Sequence, residues 1–297
     1  MSRRILVTGA TGKTGRHATG LLLKQGFAVR ALVHKADERS DRLKAIGAEV
    51  VVGDLLDLDA VRAAVDGVNA AYFVYPVRPG LIDATAYFAE AAKEAGLDAV
   101  VNMSQISARR DSKSHAARDH WVAERVFDWS GVPVIHIRPT FFAEWLINPL
   151  HLKPIVERGV ISLPLGNGRH APIAAEDQAR IIAAILADPA PHKGKTYPLF
   201  GPIEMDQGGV ARAVGAAIGR PIGYEPITIE AYRKRLEDSG VMPPFLIQHL
   251  CAVAQDYQNG IFEGTDEVIG RVTGKPPMTV QEFVAGHIDL FKPATAR

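Results

Sequence analysis

One cysteine, Cys251, stands in a chain of 297 residues. No intramolecular disulfide can form, a cysteine-rich metal knuckle is excluded, and the chain suits a reducing compartment. Excess charge is missing as well: 34 Lys and Arg face 33 Asp and Glu, a formal net charge of +1. Binders of nucleic acid or of an anionic membrane surface carry a basic stripe or excess, and this balance supplies neither. Long apolar runs are also lacking. Arg3-Arg4 precede only Ile5-Leu6-Val7 before glycine and threonine, too short a stretch for a signal peptide. The longest uncharged stretch, 239–255, contains Pro243, Pro244, Gln248 and His249 and reads as a buried helix, not a membrane span. The expectation is a cytoplasmic protein whose partner is a small molecule, with no nucleic acid, no membrane and an open oligomeric state. Neither a solenoid-length repeat nor a low-complexity tract is visible.

Several catalytic signatures are missing too. No Gly-x-Ser-x-Gly elbow occurs, which argues against a serine hydrolase. No His-Glu-x-x-His occurs, and His115 and His120 are five apart, off the i, i+4 pairing of metal ligands, so no metal is expected. Glu237-Asp238 are consecutive on a helix and do not face each other. Gly12-Lys13-Thr14 resembles the end of a phosphate-binding P-loop, but the required earlier glycine is Val7.

What is present is an ordinary globular composition, 47% hydrophobic and 23% charged, in a chain long enough for two domains or one large α/β domain. The first 140 residues alternate short aliphatic runs with helix-compatible segments. Strands are expected at 4–8, 28–33, 49–52, 70–75, 99–103 and 134–137, and helices at 13–25, 37–46, 57–65, 81–95 and 114–130. Gly26, Gly47, Gly67, Gly96 and Gly131 follow those helices. This is the pattern of βαβ units around a parallel sheet covered on both faces. The fold class is α/β: a doubly wound parallel Rossmann sheet over 1–140, and a smaller, mainly helical substrate lobe over 141–297. In that lobe, helices are expected within 144–158 and at 176–187, 206–219, 229–238, 244–258 and 279–291, with a strand near 196–200 as a candidate to rejoin the main sheet.

The first strand runs into Gly9-Ala10-Thr11-Gly12-Lys13-Thr14-Gly15 and then a helix. Gly9 permits the tight turn, Gly12 lets backbone approach a pyrophosphate, and Gly15 allows close helix packing, while the helix amides hold the phosphate charge. Strand before and helix after are the context that makes this a dinucleotide motif. At the end of the second strand, where a carboxylate would grip the adenosine 2′-hydroxyl, the chain reads His34-Lys35, with Arg39 and Arg42 following. Cations there suit a 2′-phosphate, so NADP(H) is expected in preference to NAD(H). Lys35 and Arg39 are also compatible with a solvated helix face, and Asp37 and Glu38 lie close by. Asp54, in Gly53-Asp54-Leu55 after the third strand, is either an adenine partner or an N-cap, a role for which Asp57 competes.

These motifs resemble the NmrA-like atypical short-chain dehydrogenases. The resemblance rests on residues 8–15, Arg30-Ala31-Leu32-Val33, Gly53-Asp54-Leu55, Asn102-Met103-Ser104, Arg138-Pro139-Thr140-Phe141-Phe142 and Val272-Thr273-Gly274-Lys275-Pro276-Pro277. That group includes quinone oxidoreductases, azo-dye and triphenylmethane-dye reductases, ergot-alkaloid reductases and non-catalytic nucleotide-sensing regulators. By position, the resemblance implies that Gly9, Thr11, Gly12, Lys13 and Thr14 hold the pyrophosphate, and that His34, Lys35 and Arg39 flank the ribose. It puts Asp54 and Leu55 at the adenine, and Val74, Tyr75 and Pro76 along the channel. Met103, Ser104, Pro139, Thr140 and Phe141 would surround the nicotinamide.

Short-chain dehydrogenases use Tyr-x-x-x-Lys on the helix after the fifth strand, the Lys lowering the Tyr pKa for proton exchange with substrate. Aligned on Glu124, this chain has Ala116 and His120 at those positions. The gap disfavours ordinary ketone reduction but leaves hydride transfer to a quinone, an imine or iminium, or a dye. His120, one turn before Glu124, is the candidate polar group facing ribose or acceptor, able to donate a hydrogen bond or deliver a proton near neutral pH; a packing role is the competing reading. His115 is a second candidate donor. Ser104 is expected near the nicotinamide or else capping the next segment. Phe142, Trp145, Met205 and Phe245 are expected in the acceptor pocket, with Phe141, Leu146, Met242 and Tyr257 as further candidate walls or simply core. The function expected is an NAD(P)H-dependent reductase of a small conjugated acceptor; the alternative is a non-catalytic NADP(H) sensor acting through a protein partner.

Overall fold

The computed structural model describes residues 3–292; the ends of the two expected domains, 1–2 and 293–297, lie outside the described residues. Its elements follow the chain as β1 Arg4–Val7, α1 Lys13–Lys24, β2 Ala28–Val33, α2 Glu38–Ala45, β3 Glu49–Val52, α3 Leu58–Val65, β4 Ala70–Phe73, α4 Leu81–Glu94, β5 Ala99–Met103, α5 His115–Ser130 and β6 Val134–Pro139. The second half contributes α6 Pro149–Arg158, β7 Val160–Leu163, β8 Arg169–His170, α7 Ala175–Ala187, β9 Thr196–Leu199, β10 Met205–Asp206, α8 Gln207–Ile218 and β11 Gly223–Pro226. Helices α9 Ile229–Asp238, α10 Pro244–Gln258, α11 Val268–Thr273 and α12 Val280–Ala285 follow.

Seven strands form one parallel sheet in the order β3-β2-β1-β4-β5-β6-β9. Every residue of β4 and β5 is buried, as expected of strands covered on both faces. The chain direction across the sheet reverses between β1 and β4, and a crevice opens there at the strands' C-terminal ends, where open α/β sheets bind ligands. One face packs under α1 and α7, with Ala18, Leu22, Ile181 and Ile185 buried together. The other carries α3, α4 and α5, whose Phe88 and Phe127 meet Phe73 from β4. Local chemistry sets the helix ends. Asp37, Asp57 and Ser114 accept backbone N–H bonds as N-caps of α2, α3 and α5, and Gly131 ends α5 at φ 77°, a left-handed conformation that a Cβ would disfavour.

The second half of the chain serves two cores. Strand β9 does rejoin the main sheet, beside β6, and α7 with α11 packs on that sheet. The remaining helices enclose a separate cluster that includes Leu163, Val214, Leu250 and Phe283. Two expected helices are interrupted. Within 144–158, Asn148 caps a new helix by accepting from Leu150 N at 3.1 Å, and Pro149 is its first residue, so a 3₁₀ turn at Ala143–Ile147 precedes α6. The 279–291 segment stops as α-helix at Gly286 and resumes as a 3₁₀ turn. The stretch 239–255 is only partly the buried helix expected of it: α10 begins at Pro244, and Val241 is 81% exposed.

Candidate active site

The glycine turn is built by close approach. Gly9 has φ 55°, and a Cβ there would meet Val74 Cγ1 at 2.6 Å; Gly12 N donates to Gly9 O at 2.9 Å. A Cβ on Gly15 would lie 2.3 Å from Gly9 O and 2.9 Å from Ala10 Cα, so the start of α1 rests directly on the turn. Unlike α2, α3 and α5, α1 has no side-chain cap, and its first turn holds no acidic residue. Its leading amides are therefore open to an external anion, as a pyrophosphate site requires. The Thr14 hydroxyl is engaged elsewhere, donating to Gln178 Oε1 at 3.2 Å, which leaves its backbone for the ligand. Lys13 reaches across the crevice to the Glu144 carbonyl, 3.5 Å away. Burial lowers its pKa while the Glu144 charge opposes the shift; burial likewise raises that of Glu144.

From this turn the crevice extends both ways. Its first half, about 350 Å³, is lined by Gly9, Thr11, Gly12, His34, Arg39, Asp54 and Leu55. Lys35 is exposed and does not line it. Asp57 caps α3, so Asp54 is released from that role; it accepts from Leu56 N at 3.0 Å and lies 3.6 Å from His34 Nδ1 and 3.9 Å from Arg78. The cationic cluster is partly self-neutralised. Arg39 is paired with Asp37 at 2.6 Å, and that guanidinium holds the carboxyl down at about 2. Arg78, absent from the sequence expectation, adds a cation to this wall and donates to the Tyr75 hydroxyl at 3.1 Å.

Val74, Tyr75 and Pro76 border both halves. The second half, about 370 Å³, collects Lys13, Met103, Ser104, His120, Pro139, Thr140, Phe141, Phe142 and Trp145. Phe141 and Trp145 stack at 5.4 Å and 19°, giving a flat aromatic wall. His151 fixes the Trp145 turn, bonding its carbonyl through Nδ1 at 3.3 Å and the Tyr232 hydroxyl through Nε2 at 3.2 Å. Met205 and Phe245 are not in the cleft: Met205 pairs with His170 across β10 and β8, and Phe245 lies 6.3 Å from the His115 ring. His115 is exposed and outside it as well, and Tyr257 is core.

Helix α5 presents His120 to the cleft, and Ala116 lies outside it. Beneath His120, Glu124 is fully buried and bonded through both oxygens to Arg138. Burial alone would raise the Glu124 pKa, but the Arg138 guanidinium overrides it and keeps the carboxylate charged. Burial pushes His120 down to about 4, with nearby His249 adding to the shift and Glu124 opposing it. The expected delivery of a proton near neutral pH is thereby corrected: His120 is uncharged there. Ser104 Oγ is buried in the cleft wall beside Glu124, whose carboxylate it helps to keep charged, so it does not cap the next segment.

Helix α10 does reach the cleft, but through residues other than the expected Phe245 and Tyr257. Leu246, His249, Leu250 and Val253 all line the cleft, and their i, i+3, i+4, i+7 spacing identifies one helix face. That signal was visible in the sequence, but nothing local to it says which core the face meets. Among the described residues no His, Cys, Asp and Glu cluster could hold a metal ion, and no helix is long and apolar enough to cross a membrane.

The NmrA-like family model matches residues 1–284. The chain is 32% identical over 293 residues to NAD(P)H azoreductase of Xenophilus azovorans, covering 97% of this chain and 99% of the relative. Two solved structures with the same fold are an NADPH-dependent quinone oxidoreductase of Escherichia coli and a triphenylmethane reductase of Citrobacter. The first is 24% identical with TM-score 0.82, covering 96% of this chain and 99% of that one. The second is 23% identical with TM-score 0.84, covering 97% and 100%. An uncapped, glycine-built phosphate turn at the switch point of a parallel sheet, together with a match across nearly the whole chain, leads to one assignment: this chain belongs to the NmrA-like family.

Proposed function

We propose that the protein is an NAD(P)H-dependent reductase that moves a hydride to a small conjugated acceptor, a quinone, an imine or iminium, or a dye, without a Tyr-Lys pair. The observation that carries this reading is the apolar second half of the crevice, continuous with the dinucleotide half and walled by the Phe141–Trp145 stack. The azoreductase relative supports a reductase of this general kind. A bound nicotinamide supplies the hydride. This chain's residues do the remainder: the α1 amides take the pyrophosphate charge, and Met103, Pro139 and Phe141 exclude water around the reacting face. The aromatic wall holds a planar acceptor against it, so that positioning provides much of the rate. Neutral His120 and the Ser104 hydroxyl beside Glu124 are the polar groups offered to the ribose or acceptor. The elements around α8–α10, outside the main sheet's core, form the acceptor lobe.

NADP(H) is the preferred cofactor in this reading. No carboxylate ends β2, and Arg39 and Arg78 both border the adenosine half. Arg39 is 59% exposed at its side chain, free to exchange Asp37 for a 2′-phosphate. The test combines NADPH with panels of quinones, iminium compounds and dyes, following loss of the reduced nicotinamide absorbance. Cofactor binding with no acceptor-dependent oxidation would replace this reading with the sensor one. Titration with NADPH and NADH should show tighter binding of NADPH, lost in Arg39→Ala; equal affinities in the unaltered protein would refute the preference.

A further inference from the structure

His249 approaches the acceptor cleft from α10, opposite the sheet, and its ring is held by one short contact: Nδ1 lies 2.7 Å from Ser114 Oγ. Ser114 is completely buried, and its oxygen already accepts the Ala117 N–H at 3.1 Å as the N-cap of α5. A serine hydroxyl has a single proton to donate, and His249 Nδ1 is its available acceptor. The reverse arrangement, with Nδ1–H donating, would strand the hydroxyl proton in a buried site, a cost on the order of 1–3 kcal/mol. Nδ1 is therefore the bare nitrogen and Nε2 carries the hydrogen. Because Nδ1 is turned toward Ser114, which does not line the cleft, Nε2 is the nitrogen left to the cleft side.

The mounting is rigid. Gln248, the preceding residue, accepts from His115 N at 3.0 Å and donates to the Lys113 carbonyl at 2.8 Å. About two turns further along α10, Asp256 binds Arg109 at 2.8 Å, fastening the loop between β5 and α5 to the same helix. His120, which shares the cleft, has no partner at Nδ1 and so has no fixed tautomer. Of the two histidines, only His249 is a preset donor.

We propose that His249 Nε2–H is the hydrogen-bond donor to the terminal heteroatom of the acceptor, and that it selects conjugated acceptors ending in oxygen or nitrogen, such as quinones and azo compounds. This inference rests on the reductase reading. As the hydride arrives with its electron pair and bonds to the acceptor, the acceptor's π pair moves onto its terminal oxygen or nitrogen. The developing negative charge meets the Nε2–H, and solvent water supplies the proton that completes reduction. A neutral imidazole can polarise an acceptor in this way without giving up its own proton. A cationic dye becomes neutral on receiving hydride and collects no such charge, so it gains much less from the donor.

The test compares the unaltered protein with His249→Ala, using NADPH with a benzoquinone and with a cationic triphenylmethane dye. The expected result is that the ratio of quinone to dye turnover falls about tenfold or more, mainly in kcat. Imidazole ¹⁵N shifts of the unaltered protein should show His249 protonated at Nε2 and bare at Nδ1. An unchanged ratio, or a proton on Nδ1, overturns the proposal while leaving the reductase reading intact. Absence of turnover by the unaltered protein with every acceptor overturns the reductase reading and this inference with it.

Discussion

Lowering the pH from 7 toward 5 should destabilise this protein steeply, and before most carboxylates begin to titrate. Burial is the main cause that pushes His120, His151 and His249 down to about 4 and His170 to about 3, from an ordinary 6.5. In each case the folded state binds its proton less readily than the unfolded chain. Stability is therefore complete above the unfolded pKa of 6.5 and is lost as pH falls from there toward 4. At pH 6 an unfolded imidazole is about three-quarters protonated and these four are almost bare, which gives about 1 kcal/mol per pH unit for each. The four together set a slope of about 4 kcal/mol per pH unit, and each contributes about 2 kcal/mol of lost stability by pH 5. Against a total of about 5–15 kcal/mol for an ordinary domain, that loss is large. Glu144, whose pKa burial raises, pulls the other way over its own window. Urea unfolding at several pH values between 7 and 5.5 reads the slope, and replacing His151 or His170 by Phe should each remove about 1 kcal/mol per pH unit from it. A flat profile, or a slope indifferent to these replacements, would show that the buried histidines do not set the acid sensitivity.

Further predictions concern the supports of the site. Gly15→Ala sets a Cβ 2.3 Å from Gly9 O, and backbone must move to relieve it; dinucleotide affinity, measured by calorimetry, should fall more than about tenfold, with a lowered Tm. Arg138→Ala leaves the buried Glu124 carboxylate without its two-point partner, with only Arg125, 3.7 Å away, as a cation, and the expected loss is up to about 3–5 kcal/mol in urea unfolding. Adding Glu124→Gln should recover a large part of it. If the single replacement is neutral, the ion pair is not what keeps Glu124 charged.

The sheet was legible because its information is local. Aliphatic runs 28–33, 49–52 and 99–103 coincide with β2, β3 and β5, and the residues read as helix starts, Asp37, Asp57 and Ser114, act as caps. The glycine turn was readable for the same reason, since strand, turn and helix are contiguous. Burial and partner choice were not legible. The sequence offers His120 as a proton donor near neutrality, but its burial against α10, some 130 residues away, decides otherwise. It also presents Arg39 as a phosphate-binding cation with Asp37 and Glu38 close by, but not that Asp37 has engaged it. The two-residue strands β8 and β10 carry no pattern of their own and exist only because they pair with each other. Large apolar residues illustrate the same limit: Trp145 faces the cleft, whereas Met205 and Phe245 point into other contacts.

The proposed function requires direct hydride transfer across the crevice from a dinucleotide held at the glycine turn. A single turnover with NADPH carrying deuterium at both positions of its hydride-donating carbon and a cationic triphenylmethane dye tests it, because the carbon–deuterium bond formed in that product does not exchange with water. Mass spectrometry should find the deuterium at the central carbon of the reduced dye, in amounts equal to the NADPH consumed. Reduced dye lacking deuterium, or NADPH that binds tightly and stays intact in the presence of dye, would rule out that transfer.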